Sequence, residues 1–204
     1  MPRIFMVIHA NSEWNERGLW QGQCDTRLSE CGLRMAECLA GRKDLTAIRR
    51  IYSSDLRRAM ETAQPLADRL GLSVISHTGL REGRWQDHHQ DAGAPLLLAD
   101  YAYETRKELT ERAVRTLEQI ALEANADPIL IVTHGTFLEC FMMRQFPECR
   151  TAQPAVRTAL NEFVYSEGRW LAGRLNDHSH LPAVDQGMLC ITTRPAVQVV
   201  AAAP

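Results

Sequence analysis

The sequence is short of lysine. Only Lys43 and Lys107 occur in 204 residues, so arginine supplies 21 of the 23 basic residues. Net charge is also small, at -2. A chain so nearly balanced has no electrostatic attraction favouring nucleic acid or an anionic membrane as partner. Long hydrophobic runs are missing, since none approaches the roughly 18–20 residues that cross a bilayer. The first apolar stretch, Ile4 to Ile8, is too short for a signal peptide, and no small-residue cleavage site follows it. Six cysteines are present (Cys24, Cys31, Cys38, Cys140, Cys149, Cys190), but no C-x-x-C pair, which argues against a zinc site. They read as free thiols of a reducing cytoplasm. What remains is 45% hydrophobic and 24% charged, a globular balance, in a length that suits one domain.

Hydrophobic patterning predicts strands alternating with helices. Residues 3–8 form a continuously apolar strand. A polar loop spans His9 to Arg27, and Ser29 caps a helix running to about Ala40. A strand over Ile48–Ser53 leads to a helix capped by Ser54, running to about Leu70 and stopped by Gly71. Val74–Ser76 is a short strand. Residues 83–102 are irregular, with Tyr101 and Tyr103 expected to pack a pocket roof and His88-His89 expected to face solvent. Helical periodicity returns from Glu104 to Ala124. Ile129–Val132 is a buried strand, followed by a helix from Thr136 to about Gln145. Asn161–Tyr165 and Trp170–Leu175 suggest a hairpin turned at Glu167-Gly168. This order implies an α/β three-layer sandwich with a mostly parallel central sheet flanked by helices. The domain is expected over 1–182 with a small cap of about 83–103. Residues 183–204 read as a tail, with a short added strand near Met188–Thr192. Its apolar end, Ala196–Ala203, would suit either a homodimer interface or an unstructured terminus.

In parallel sheets, ligands collect beyond the carboxyl ends of the strands. His9 and His134 both fall there, each followed by a small residue, Ala10 and Gly135. Six ordered segments then resemble the histidine phosphatase superfamily, the phosphoglycerate mutase-like family. Val7-Ile8-His9-Ala10-Asn11-Ser12-Glu13-Trp14-Asn15 is similar to its opening V-R-H-G-E-T-x-W-N. Trp20-Gln21-Gly22, Asp25 and Leu28-Ser29 with Gly32 resemble the loop and helix start that come next. Ser53-Ser54-Asp55-Leu56, Arg58-Ala59 and Thr62-Ala63 match its S-S-D-L-x-R-A-x-x-T-A. Leu80-Arg81-Glu82, Val132-Thr133-His134-Gly135 and Asn176-Asp177 with His180-Leu181 complete the set.

The resemblance implies a phosphoglycerate mutase-like fold and a phosphatase acting on a small-molecule phosphomonoester, without metal or cofactor. His9 would accept the phosphoryl group as phosphohistidine, splitting one hard step into two. Arg58 would offer a bidentate fork to the phosphoryl oxygens and His134 a charged hydrogen bond. Glu82 would protonate the leaving oxygen and later take a proton from water. Ser12, Asn15, Gln21 and Gly135 would line the substrate site. The short 83–103 segment suggests a small roof, unlike an enclosed mutase pocket.

The first segment also departs from the family. Ile8 stands where the family has an arginine before the catalytic histidine, with Ala10 for glycine and Asn11 for glutamate. In a chain so rich in arginine, that absence is hard to ascribe to composition. Ile8 is expected to put apolar bulk where an anion would be held, with Arg17 or Arg84 as candidate substitutes. Ala10 adds a methyl where the backbone would otherwise approach the ligand. Three readings follow: a divergent phosphatase; a repurposed enzyme using His9, His134 and Glu82 as acid/base groups on a less anionic substrate; and a non-catalytic binding protein.

Overall fold

The structure is a computed structural model that describes residues 3–84, 103–151 and 156–182. Among these residues a six-stranded sheet runs in the order β3-β2-β4-β1-β5-β6. Its strands are β1 (Arg3–Ile8), β2 (Arg50–Ser53), β3 (Val74–Ser76), β4 (Ile129–Thr133), β5 (Asn161–Ser166) and β6 (Arg169–Ala172). The first four are mutually parallel; β5 runs antiparallel to β1 and β6 antiparallel to β5. Five consecutive buried residues in β4, and five in β1 after the exposed Arg3, explain why these two pair at the centre.

Alternation along β1 sorts the core into two layers. Ile4, Met6 and Ile8 face α4 (Arg106–Ala124) and α5 (Gly135–Gln145), packing with Leu109, Leu117, Phe137 and Phe141. Phe5 and Val7 face α2 (Glu30–Ala40) and α3 (Arg57–Leu70), packing with Leu39, Ala63 and Leu66. Helices therefore cover both faces, the expected three layers. Each fully buried phenylalanine contributes about 1.5–3 kcal/mol.

Local chemistry sets the boundaries. Ser29 caps α2 by accepting from Gly32 N, and Thr105 forms a capping box with Glu108 at α4. Gly71 ends α3 in the left-handed region at φ 65°, as its position predicts. Gly32 is obligatory for another reason, because a Cβ there would collide with the Asn11 carbonyl.

Three boundaries differ from expectation. Ser54 does not cap α3; the N-cap is Leu56, and buried Ser54 instead extends the sheet by donating its N–H to Val132. The loop after His9 contains a one-turn helix, α1 (Glu13–Glu16), closed by a Ser12/Asn15 capping box. Finally, β6 stops at Ala172 and not Leu175, because Gly173 and Arg174 both bond Glu162 of β5, two residues against one, which interrupts the regular ladder. Tyr103 is 53% exposed. Tyr101, His88-His89, most of the cap, the strand near Met188–Thr192 and the 183–204 tail lie outside the described residues.

Candidate active site

The carboxyl ends of β1 and β4 bring His9 and His134 together. His9 N–H bonds the Thr133 carbonyl at 2.9 Å, and the two rings lie 5.2 Å apart between centroids. Arg58, on the first turn of α3, reaches between them and is 1% exposed. It donates from Nε to His9 Nε2 at 3.2 Å and from Nη2 to His134 Nδ1 at 3.2 Å. Its remaining bonds go to the Cys24 carbonyl at 2.8 Å and the Gly22 carbonyl at 2.7 Å.

These bonds fix the histidine tautomers. His9 Nδ1 lies 2.7 Å from the Ala10 carbonyl, which can only accept, so Nδ1 carries the proton. Nε2 is then a lone pair pointing at Arg58. His134 Nδ1 accepts from Arg58, so its proton sits on Nε2. That Nε2 is buried without a hydrogen-bond partner among the described residues. A buried donor left unmade costs about 1–3 kcal/mol, so its orientation into the site is the mark of an absent acceptor.

Electrostatics agree with this assignment. Burial, reinforced by the Arg58 charge, holds both imidazoles well below the ordinary histidine range. The shift favours the neutral form of His134. Burial also pulls Arg58 down to about 10. Its nearby acids, Glu82 and Asp25, act only through space. A buried cation with no carboxylate bonded to it is expensive unless an anion arrives.

Glu82 lies near enough to Arg58 for the two charges to interact. Its carboxylate accepts from Gly83 N at 3.0 Å and from Thr136 N, in the first turn of α5, at 3.2 Å. Burial pushes its carboxyl up, against the lowering pull of those N–H groups and of Arg58. Arg112 staples the loop from α4, donating to the Gly79 and Arg81 carbonyls at 2.8 Å each while paired with Glu104. Gln23 adds a bond to the Glu82 carbonyl at 2.8 Å.

The remaining expected residues divide. Beside Gly135 no atom of the described residues lies within 4 Å of a notional Cβ, so space is open there. Ser12 and Gln21 are buried, with Ser12 Oγ donating to Gln21 Oε1 at 2.7 Å and Thr26 also donating to that oxygen. Their hydrogen bonds build the loop wall. Asn15 is half-buried, with Oδ1 held by Ser12.

Ile8 is 5% exposed and packs into the α4/α5 core layer, so it does not line an anion pocket. Ala10 sends its N–H to Thr62 Oγ1 at 2.9 Å, and its methyl packs with Leu28 and Met35. Of the two suggested replacement cations, Arg17 is exposed and Arg84 is half-buried.

The motifs left several functional neighbours without a role. Asp25 accepts from Arg57 N at 2.7 Å and pins the loop whose carbonyls hold Arg58. Thr62 anchors Ala10, and Arg112 anchors Glu82. Arg157 acts electrostatically on both His9 and Arg58. It sits in a turn where Thr158 has φ 60°, a left-handed conformation that costs a β-branched residue of order 1–3 kcal/mol. No sequence signal separated Arg112 or Arg157 from the other arginines. Among the described residues, no three His, Cys, Asp or Glu side chains converge to hold a metal ion, and no helix is long and apolar enough to cross a membrane.

The family model of the histidine phosphatase superfamily (branch 1) matches residues 4–178. Phosphoglycerate mutase-like protein 4 of Arabidopsis thaliana is 29% identical, over 87% of this chain and 86% of its own. The metal-independent phosphoserine phosphatase of the same plant is 29% identical, over 90% of this chain and 85% of its own. Among solved structures, a mycobacterial glucosyl-3-phosphoglycerate phosphatase in complex with VO3 is 27% identical with a TM-score of 0.69, covering 84% of this chain and 97% of that one.

Proposed function

The chain belongs to the histidine phosphatase superfamily, and from that premise we propose that it hydrolyses a small-molecule phosphomonoester through a phosphohistidine at His9. One observation carries the reading: a buried guanidinium bridges two neutral imidazoles with no carboxylate bonded to it, while His134 Nε2 has no acceptor. A phosphoryl group supplies both missing partners, since its oxygens accept from Arg58 and from His134 Nε2–H.

The steps follow from the tautomers. The phosphoryl oxygens replace His9 Nε2 as acceptor of the Arg58 Nε–H, which frees the Nε2 lone pair. Nε2 attacks phosphorus, the P–O ester bond breaks, and the proton on Glu82 passes to the leaving oxygen. Water then attacks the phosphohistidine and gives its proton to Glu82. Orthophosphate leaves and neutral His9 returns. The raised Glu82 carboxyl keeps its proton at higher pH than an ordinary glutamic acid. Asn15, Gln21 and Gly135 shape the substrate side, and Ser12 braces it. The likeness to proteins named as phosphoserine and glucosyl-3-phosphoglycerate phosphatases supports a substrate among small phosphorylated metabolites. Six cysteines without a C-x-x-C pair fit a reducing cytoplasm.

The test is rapid quenching with a 32P-labelled monoester. Wild type should yield acid-labile, base-stable phosphate on histidine, and His9→Asn none. Hydrolysis without any trapped phosphohistidine would instead favour His9 as a general base, and no phosphate release from any monoester would sink the reading.

A further inference from the structure

We infer that Arg157 supplies the second guanidinium of the phosphoryl cradle, taking from the far end of the chain the part left open by Ile8. The inference rests on the phosphomonoesterase reading and adds to it the residue that completes its charge.

The backbone delivers Arg157 to the right place. Thr158 N–H bonds the Ile8 carbonyl at 2.9 Å, so residue 157 sits beside the end of β1, one residue before His9. The turn around it is tied on every side. Val156 N–H bonds Asn176 Oδ1 at 2.8 Å, Ala159 N–H bonds the Val156 carbonyl at 3.0 Å, and Thr158 Oγ1 meets His180 Nε2 at 3.2 Å. These contacts hold Thr158 in its strained left-handed conformation. Strain persists only where the surroundings over-determine it, and it gathers at functional sites.

The side chain is poised and uncommitted. Arg157 is half-buried, yet among the described residues its guanidinium makes no hydrogen bond and no ion pair. Two other half-buried cations at this end of the sheet are engaged: Arg81 with Asp55 and Arg112 with Glu104. Arg157 is close enough for its charge to act on His9 and on Arg58. Two guanidiniums near enough to feel each other's charge repel, and an anion bound by both removes that repulsion.

Charge balance points the same way. A phosphomonoester dianion carries two negative charges, and Arg58, bonded to both imidazoles, brings one guanidinium to it. Arg157 brings the second, and its planar fork suits two phosphoryl oxygens.

The experiment uses the full chain with orthophosphate and orthovanadate as probes, read by calorimetry and by inhibition of monoester hydrolysis. Arg157→Ala should weaken binding of both anions about ten- to a hundredfold, the loss of one charge-assisted contact. It should raise KM at least as much as it lowers kcat, and leave the melting temperature unchanged. Arg157→Lys should recover part of the loss, because the point charge returns without the fork. Arg157→Gln keeps the stem and serves if the alanine variant folds poorly. Arg169→Ala, exposed on β6, should change nothing. Arg157→Gln and Arg157→Ala binding orthophosphate within twofold of wild type would overturn the inference and leave the phosphatase reading standing. A wild type that binds neither anion and forms no phosphohistidine would overturn both.

Discussion

Arg42 and Arg58 both withdraw their side chains from solvent, and opposite surroundings hold them. Arg42, with 8% of its side chain exposed, is gripped by Asp44 through two bonds of 2.9 and 2.7 Å and by Asp177 at 2.8 Å. Those carboxylates raise its pKa and are themselves held below the ordinary range. Arg58 is buried more deeply but touches only neutral acceptors: two imidazoles and two carbonyls. The first arginine has its charge balanced by bonded carboxylates; the second has its hydrogen bonds met by neutral groups and its charge bonded to no carboxylate among the described residues. Folding has met the desolvation cost of Arg58 without the Coulombic return that Arg42 receives. The deficit marks a site organised in advance for charge that develops elsewhere.

The strongest way to break this contrast is Arg58→Met. Loss of one positioned charge donor at a transition state costs about 3–4 kcal/mol, so kcat/KM should fall roughly 10²–10³-fold. The melting temperature of the unliganded protein should stay within a few degrees of wild type, because the change removes an uncompensated buried charge along with its hydrogen bonds. Orthophosphate at about 100 times its Kd should stabilise wild type by about 2.7 kcal/mol and the variant hardly at all. Thermal melts with and without phosphate, alongside steady-state rates, check all three. If Arg58→Met unfolds the chain as readily as a break in the Arg42 cluster does, the contrast is lost.

Asp177→Ala is the reciprocal experiment. It should destabilise by about 2 kcal/mol, below the usual penalty for breaking a wholly buried pair, because Asp44 still holds Arg42. kcat/KM should stay within twofold of wild type, since Asp177 makes no contact with His9, Arg58 or His134 among the described residues. Urea unfolding with parallel rates would show it. A large loss of activity would mean that the two clusters are coupled, through His180 and the Thr158 turn that link them.

That separation was partly legible in the sequence. Apolar runs at Ile4–Ile8 and Ile129–Val132 gave the central strands, because a buried parallel strand has no polar face to disguise it. The motif order gave His9, Arg58, Glu82 and His134, since each follows a strand end or opens a helix where side chains converge. Ser54 misled as a cap because a strand continued through it: its N–H was already committed to Val132. The protonation of His134 was also hidden, for it depends on burial beside Arg58, a residue 76 positions away. Ile8 had the most misleading position. Its identity showed what was missing, but strand alternation turns its side chain into the α4/α5 layer. Arg157 and Arg112 were anonymous among 21 arginines, and only backbone bonds such as Thr158 to Ile8 reveal their place.

The smallest expected effect separates the clusters by pH. Burial holds the folded-state pKa values of His9 and His134 well below the ordinary histidine value of about 6.5. Below pH 6.5 the unfolded chain therefore binds protons that the folded chain refuses, and stability falls as pH falls. Between about pH 6.5 and 5.5 each histidine should subtract roughly 1 kcal/mol. His180, lowered to about 4 by burial, adds a similar slope in the same window, so the catalytic share must be read by difference. His9→Asn and His134→Asn should each remove about 1 kcal/mol of the acid loss, while His180→Asn removes its own share independently. The carboxylates of the Arg42 cluster behave with the opposite pKa sign. Asp44 and Asp177 are lowered from 3.8, so their stabilisation is intact throughout this window and is lost only as pH falls through their folded pKa values. Urea melts across pH 5.5–7.5 should thus show a slope owned by the histidines and not by the aspartates. Saturating orthophosphate should flatten it further, because an anion held by Arg58 and Arg157 favours protonated imidazoles and raises the folded-state values toward those of the unfolded chain.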